Sequence, residues 1–429
     1  MKYRSPLAVA LSCLVAVTLL SGCAMLGAKG QSKRLDALAV YRGTVTREAP
    51  SKAPIIVVLH PRGQTKVTFY DVLLKDGPYY LVAKPGEYEV LAFEDRNGNF
   101  ILDADDPVGT LAGAPRDFNR DPEGLGSIVV PAKRVDGVTP AVDLSESGLS
   151  KVLARRADAL FRVVTLDAPQ FASDKAVDGL WKPADFLEQG RTGIYALEPY
   201  DSAKTPVLFI HGIGGSPREF KTLANGIDRT KFQPWFFHYP SGFSLDFNGW
   251  ILAQLVEENR VRLGFTKLYV VAHSMGGLVG VSAIDRRVEE GRTDLVDLYV
   301  SISTPWGGHA AAARAPSGIA MPSWKDITPD SEFFKKMASI PVPRSVDYCL
   351  FFSHAGDSRL MSGGDDGTVT ISSQLPYQVE NRASLIYGFN ESHSSILESD
   401  ELRQKLNTVL VNEAEGRPID TGVRFQPRK

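Results

Sequence analysis

The fold is decided by the stretch "LYVVAHSMGGLVG", residues 268–280. A run of strand-forming residues ends at Ala272, and a small-residue pattern typical of a helix begins at Met275. His273 and Ser274 lie at the junction between them. The pattern predicts either a nucleophilic serine exposed on a tight strand-to-helix turn or a serine that only caps a buried helix.

The sequence on both sides of this stretch alternates between strand and helix patterns. Strand-like runs are "VLFIH", "FQPWFFHY", "KLYVVA" and "LVDLYVSIS", and "NGWILAQLVEENRVRL" is a helical run between two of them. Alternation of this kind indicates crossover connections, and therefore a mostly parallel sheet flanked by helices.

The pentapeptide "AHSMG" resembles the G-x-S-x-G nucleophile elbow of α/β-hydrolases, with Ala272 in place of the first glycine. The turn demands small residues rather than glycine itself, so alanine is compatible with it. Upstream, "PVLFIHGIGGSPREF" resembles the "HG" loop of lipases and esterases. The resemblance implies an α/β-hydrolase fold in which the backbone N–H groups of Ile213 and Met275 form the oxyanion hole.

A serine hydroxyl needs a base to become nucleophilic, and the base needs a carboxylate to orient it. In α/β-hydrolases the chain order is serine, acid, histidine. His393, in "GFNESHSSILES", resembles the histidine loop of bacterial lipases and is the predicted base. His309, in "STPWGGH", resembles a pocket-lining segment, and His354 precedes the best candidate acid.

The acid has two candidates. The segment "GGDDGTVTISSQL" resembles the lipase pattern "nDGxVsxxSs", and alignment on its Asp-Gly pair selects Asp366 rather than its neighbour Asp365. Asp357, directly after the strand-like run "DYCLFF", is the alternative. Either carboxylate is otherwise read as a solvated loop residue.

The N-terminus predicts export. Two basic residues precede an apolar run that is short for a membrane span and typical of a secretory signal. The segment "LLSGC" at its end resembles the bacterial lipoprotein box, which implies cleavage before Cys23 and attachment of lipid, including palmitate chains, to this cysteine. More than one acyl chain gives stable anchoring to a bilayer. Ala24 after the cysteine favours the outer membrane, facing the periplasm, and an uncleaved membrane anchor is the alternative.

Short β-branched and aromatic runs predict a β-sandwich-like domain ahead of the hydrolase domain. Its segment "KPGEYEVLAFED" resembles carboxypeptidase-regulatory or transthyretin-like modules. The following "DRNGNFILDADD" places oxygen-bearing side chains at positions 1, 3, 5, 9 and 12 of a candidate calcium loop: Asp95, Asn97, Asn99, Asp103 and Asp106. The alternative is a turn held by its own Asx side chains.

The predicted organisation has five parts. These are a signal peptide at 1–22, a lipidated tether at 23–37, the sandwich at 38–145, a helical connector at 146–190, and the catalytic domain at 191–415 with a cap at 309–345.

The chain of 429 residues has a formal net charge of −2 and no extended basic tract, which gives no reason to expect nucleic acid as a partner. The sequence predicts a membrane-anchored serine hydrolase that cleaves carboxylic esters, with acyl esters or lipids as substrates. The chemistry requires no cofactor, with a structural Ca²⁺ in the N-terminal domain as the one candidate. An acyltransferase, a thioesterase or a non-catalytic envelope-binding module remains open, and no protein partner is specified.

Overall fold

The computed structural model describes residues 30, 39–62, 67–99, 102–111, 116–117, 124–134, 161–289, 296–314, 320–337, 342–356 and 364–419. The predicted signal peptide, Cys23 and Asp357 lie outside these residues. Across the described part of the chain, no helix combines the length and the apolar character that a bilayer crossing requires.

The chain divides into two compact units. The smaller unit takes its described residues from the ranges Lys33–Arg162 and Gln254–Phe265, and the larger unit takes most of its described residues from Val163–Ala253 and Thr266–Lys429.

The smaller unit contains two sheets. One has five strands, in the order β3-β2-β5-β6 with β7 paired to β5, and the other has three strands, in the order β4-β1-β8. The strands are β1 Ala39–Arg47, β2 Ile55–Pro61, β3 Phe69–Leu73, β4 Gly77–Ala83, β5 Glu87–Glu94, β6 Val108–Thr110, β7 Arg116–Asp117 and β8 Ser127–Val130. Side chains from both sheets form one shared core, so the predicted β-sandwich is present.

Strand β2 is apolar on both faces, and each face has its own partner. Ile55, Val57 and Leu59 point into the core between the sheets, whereas Ile56 and Val58 point to the opposite face, because side chains alternate along a strand. That second face packs against other apolar residues, including Val261 from the segment Gln254–Phe265.

The same segment is joined to the sandwich by a buried hydrogen bond, in which the Tyr70 hydroxyl donates to Glu258 Oε1 at 2.7 Å. The sequence placed residues 254–265 in the catalytic domain. In the structure they group with the smaller unit.

The larger unit is built on an eight-stranded sheet in the order β16-β15-β14-β13-β11-β12-β10-β9. Neighbouring strands from β12 through β11 to β16 run parallel, and β10 pairs antiparallel with β12. The strands are β9 Phe161–Val163, β10 Gly193–Ala196, β11 Thr205–Ile210, β12 Phe232–His238, β13 Tyr269–His273, β14 Leu298–Ile302, β15 Asp347–Ser353 and β16 Leu385–Phe389.

Helices surround this sheet. The α-helices are α1 Ser173–Trp181, α2 Pro183–Glu188, α3 Lys221–Gly226, α4 Leu245–Leu263, α5 Met275–Glu289, α6 Pro322–Asp326, α7 Glu332–Met337, α8 Ile371–Gln374, α9 Tyr377–Glu380 and α10 Asp400–Ala414. Short 3₁₀ turns are Pro169–Phe171, Pro217–Phe220, Ala312–Arg314 and Ser395–Glu398.

The connector and the cap are both partly described. Phe161 lies within the predicted helical connector at 146–190, but the structure places it in strand β9, in the β-branched run "FRVV", and helices α1 and α2 follow it. Helices α6 and α7 belong to the predicted cap, between β14 and β15. Because the central strands are parallel, the residues that follow β13, β14, β15 and β16 all emerge at one edge of the sheet.

Candidate active site

Ser274 is the first residue after strand β13, and helix α5 begins at the next residue. Its φ angle is 54°, in the left-handed region that L-residues other than glycine rarely adopt. A Cβ atom at Gly276 would collide with the backbone oxygens of Ile210 and His211, so the turn needs glycine at this position. The strained turn therefore distinguishes Ser274 from an ordinary helix cap.

The predicted base lies directly beside the predicted nucleophile. His393 Nε2 is 2.9 Å from Ser274 Oγ, and His393 Nδ1 is 2.7 Å from Asp366 Oδ2. Because an ionised carboxylate only accepts hydrogen bonds, Nδ1–H must donate to Asp366, which leaves Nε2 free to accept the serine proton. The structure thus brings the three residues together in the geometry of a Ser-His-Asp triad.

Asp366 is held by several donors. Its Oδ1 accepts the backbone N–H groups of Thr368 (3.0 Å) and Val369 (2.7 Å), and its Oδ2 also accepts the Ser353 hydroxyl at 2.7 Å. Burial alone would raise the pKa of this carboxyl, but the hydrogen bond and charge of His393 and these other donors hold the pKa below its usual value. Asp366 is therefore an anion at neutral pH, as the orienting acid must be.

The other acid candidates have different positions. Asp365 Oδ1 accepts the N–H of Gly367 at 2.7 Å within the same turn. Asp357 lies outside the described residues. Among the described carboxylates, Asp366 is the one bonded to His393.

The remaining histidines after Ser274 have other surroundings. His309 Nε2 donates to the backbone oxygen of Thr368 at 2.8 Å, which ties the loop after β14 to the turn that carries Asp366. His354 is exposed, and its ring lies 6.0 Å from that of Phe352. Neither ring occupies the position of the base.

His273 is a residue to which the sequence assigned no role. Its Nε2 lies 2.9 Å from the backbone oxygen of His393, so it donates a hydrogen bond to the loop that carries the base. Burial and the nearby His393 lower the pKa of His273 to about 3, which keeps this ring neutral. Its place immediately before the serine was visible in the sequence, but its partner is 120 residues away.

The predicted oxyanion loop lies against the nucleophile. A methyl group placed on Gly212 would lie 3.0 Å from Ser274 Cβ and 3.4 Å from its Oγ. The oxygen of Gly212 accepts two hydrogen bonds, from His211 Nδ1 (2.8 Å) and from the N–H of Gly215 (3.2 Å). In a trans peptide the next N–H points the opposite way, so these bonds orient the N–H of Ile213 away from His211.

Met275 supplies the other predicted donor, because it is the first residue of helix α5 and its N–H is one of the unpaired groups at a helix start. Burial lowers the pKa of His211 to about 4, so this neighbour of the loop is neutral. The arrangement suits stabilisation of an oxyanion by two backbone donors.

The candidate calcium loop is internally hydrogen-bonded. The side-chain amides of Asn97 and Asn99 both donate to Asp103 Oδ2, at 2.7 and 2.9 Å, and Asp106 accepts the N–H groups of Arg96 and Asp103. A calcium cage needs amide oxygens turned toward the ion, and these amides present their N–H groups to the carboxylate. Within the described part of the chain, no group of three or more His, Cys, Asp or Glu residues could hold a metal ion. The calcium site, with Asp95, stays a prediction.

Comparison with known proteins agrees with this topology. Residues 205–341 match the family model for the α/β-hydrolase fold. The larger unit has the α/β-hydrolase fold. Ser274 lies on the turn between β13 and α5 of this fold.

Two lipases are among the similar solved structures. The mature Bacillus licheniformis lipase BlEst2 is 20% identical with a TM-score of 0.41, and the match covers 51% of this chain and 97% of that one. Aspergillus fumigatus lipase B is 15% identical with a TM-score of 0.40, covering 53% and 57%. Because likeness at this level carries no argument about chemistry, the functional conclusion rests on the geometry of the site.

Proposed function

We propose that this protein is an exported, lipid-anchored serine hydrolase that cleaves carboxylic esters with acyl chains through a Ser-His-Asp acyl-enzyme mechanism. The observation that carries the proposal is the continuous hydrogen-bonded chain from Ser274 Oγ through His393 to Asp366. Ser274 has a left-handed backbone conformation on a strand-to-helix turn, and its hydroxyl is bonded to a histidine that is itself bonded to an anionic carboxylate. This arrangement activates a hydroxyl for nucleophilic attack.

The reaction follows from these positions. Ser274 Oγ attacks the ester carbonyl carbon as its proton moves to His393 Nε2, and Asp366 stabilises the resulting imidazolium. The N–H groups of Ile213 and Met275 hold the oxyanion. When the tetrahedral intermediate collapses, the alcohol leaves with the proton from His393, and the acyl group remains on Ser274.

Deacylation repeats the sequence with water. His393 Nε2 takes a proton from water, the hydroxide equivalent attacks the acyl-serine, and the carboxylic acid leaves as Ser274 regains its proton. These steps use no metal or organic cofactor.

Apolar side chains beside the oxyanion loop support an acyl-containing substrate. Ile213 is 36% exposed although it is a large apolar residue. Leu180 lies beside this loop, because a methyl group built on Gly214 would be 3.8 Å from Leu180 Cδ2. Met321 is close to Gly242, where a methyl group would be 3.2 Å from Met321 Cε. Helix α1 and cap helix α6 also meet through the rings of Trp181 and Trp324, 5.3 Å apart.

The anchoring part of the proposal rests on the sequence "LLSGC" alone. Acyl chains on Cys23 would hold the enzyme on the bilayer, at the outer membrane and facing the periplasm. Metabolic labelling with radioactive palmitate tests this: we expect label in the wild type and none in Cys23→Ala. Label that persists in the variant would overturn the lipidation site.

Labelling with a fluorophosphonate probe tests the catalytic part. We expect labelling of the wild type and of the control Ser202→Ala, which changes an exposed serine, but not of Ser274→Ala. Loss of the nucleophile should also reduce kcat by about 10⁶ on p-nitrophenyl esters. Absence of wild-type labelling, or equal labelling of Ser274→Ala, contradicts the proposal.

The same esters in graded chain lengths define the acyl preference. Assays with added alcohols or with thioesters separate hydrolysis from acyl transfer and thioester cleavage, because a transferase yields a new ester in place of the free acid.

A further inference from the structure

Two further serines, Ser353 and Ser303, extend the hydrogen-bonded chain beyond Asp366. Ser353 Oγ lies 2.7 Å from Asp366 Oδ2, and Ser303 Oγ lies 2.6 Å from Ser353 Oγ. Both serines are completely buried. They come from different strands, since Ser353 ends β15 and Ser303 directly follows β14.

The proton positions in this chain follow from its partners. Asp366 is an anion and only accepts, so the Ser353 hydroxyl must donate to it. Because Ser353 has then used its one proton, the Ser303 hydroxyl must donate to Ser353. The chain therefore runs in one direction, from Ser303 through Ser353 to Asp366.

The backbone of Ser303 is an independent observation. Its φ angle is 49°, again in the left-handed region, and its N–H donates to the oxygen of Phe351 at 2.9 Å. A residue with a side chain is strained in this conformation, which glycine adopts freely. Strain of this kind marks positions where the surrounding structure demands a particular group.

We propose that Ser303 and Ser353 are positioning residues that hold Asp366 in place and moderate its attraction for the protonated form of His393. This inference rests on the proposed hydrolase function. Ser353 and His393 bond the same oxygen of Asp366. The hydrogen bond from Ser353 therefore weakens the electrostatic attraction between the carboxylate and His393.

Other groups also bond or surround Asp366, and they remain in place when Ser353 is substituted. Gln374 Nε2 also donates to Oδ2, at 3.2 Å, and two backbone N–H groups saturate Oδ1. The charged or titratable neighbours are His393, His273, His309 and Asp365. Burial lowers the pKa of both His273 and His309, which favours the neutral form of these rings.

The test is the pH dependence of kcat/KM for p-nitrophenyl butyrate. Without the Ser353 donor, the carboxylate attracts the imidazolium more strongly, and the base is protonated at higher pH. We expect Ser353→Ala to move the acid limb of the profile upward by about 0.5–1 pH unit, which is less than the roughly 1–2 units of a full hydrogen bond to a charged group, because Gln374 and two backbone N–H groups still bond Asp366. Ser303→Ala should move it in the same direction by less, because Ser353 still donates.

Two further variants separate positioning from packing. Ser303→Gly removes the hydroxyl but relieves the backbone strain, so its acid limb should match that of Ser303→Ala while its Tm is higher. Ser301→Ala removes a buried hydroxyl in strand β14, just before Ser303, that is bonded to Tyr348 and not to Ser353 or Asp366. The acid limb of this variant should stay at the wild-type pH.

An NMR titration of the His393 ring in the same variants provides a readout without turnover. If the midpoint of the His393 titration lies at higher pH in Ser353→Ala than in the wild type, the inference is supported even if the proposed substrate class is wrong. If Ser353→Ala does not fold, the same two measurements on Ser303→Gly decide whether the inference holds. The inference is overturned if the pH profiles and the His393 titrations are the same in Ser303→Gly, Ser301→Ala and the wild type. The proposed function is overturned instead if the fluorophosphonate probe does not label the wild-type protein.

Discussion

His273 donates a hydrogen bond from Nε2 to the backbone oxygen of His393, across 2.9 Å. The residue immediately before the nucleophile thus holds the loop that carries the base. Because the peptide of His273 is continuous with Ser274, this bond couples the position of the serine to that of its base. We therefore expect the distance between Ser274 Oγ and His393 Nε2 to depend on this contact.

Loss of this contact should reduce activity more than stability. We expect His273→Leu to lower kcat/KM by about 5- to 30-fold, the effect of one or two hydrogen bonds. His273→Gln should recover most of the loss, because its side-chain amide can donate to the same oxygen. Steady-state kinetics and Tm measured together check this, and equal kinetics in both variants would show that the bond has no positioning role.

Substitution of the two acid candidates should separate them. Asp366→Asn leaves the shape of the site but removes the charge and the tautomer preference of His393, so kcat should fall by about 10⁴. Asp357→Asn should retain activity within a few-fold. The measurement is kcat on p-nitrophenyl butyrate, and the reverse ranking would reassign the acid.

Glu219 should make stability depend on pH. Its carboxyl lies under the oxyanion loop, where a methyl group on Gly215 would approach its oxygens to 2.6 and 2.7 Å. Burial raises the pKa of Glu219 from 4.5 to about 7, against the smaller lowering effect of a hydrogen bond with the Ser216 backbone. Between these two values the unfolded chain loses its proton first, so the free energy of unfolding falls as the pH rises.

We therefore expect Glu219→Gln to raise Tm by about 2–4 °C at pH 8 and to leave it nearly unchanged at pH 4, where the carboxyl is protonated in both states. Differential scanning fluorimetry at the two pH values measures this. Glu401→Gln, which changes an exposed carboxylate bonded to Tyr387, is the control and should show no difference between the two pH values. The prediction fails if the two variants behave alike.

The loop from Asp95 to Asp106 should not depend on calcium. Its carboxylates already accept hydrogen bonds from Asn97, Asn99 and the backbone, so we expect EDTA to leave Tm unchanged. Equilibrium dialysis with Ca²⁺ gives a direct check. A Tm that falls in EDTA and recovers with Ca²⁺ would instead establish the site.

The elbow was predictable because its requirements are local. A strand, a serine and a run of small residues must follow one another in the chain, and "AHSMGG" contains all three. The candidate base was predictable for a similar reason, since a parallel sheet places His393, after its last strand, at the same edge as Ser274.

The location of residues 254–265 was not predictable in this way. The sequence predicted most of these residues only as part of a helical run, and nothing in that run specifies which surface it covers. Strand β2, "PIIVVLH", is apolar on both faces, and the structure shows that its second face is packed against other apolar residues. The identity of that surface required the structure.

By itself, the sequence determined the fold of the larger unit, the chain order of Ser274, Asp366 and His393, and the glycine-rich loop after β11. These features depend on patterns that lie within one or two elements. Only the tertiary structure decided which carboxylate of "DD" bonds His393, that His273 holds the base loop, and that Ser303 and Ser353 extend the triad. Such contacts join residues 13 to 120 positions apart, and they arise from the register of neighbouring strands, which brings their carboxyl ends to one edge.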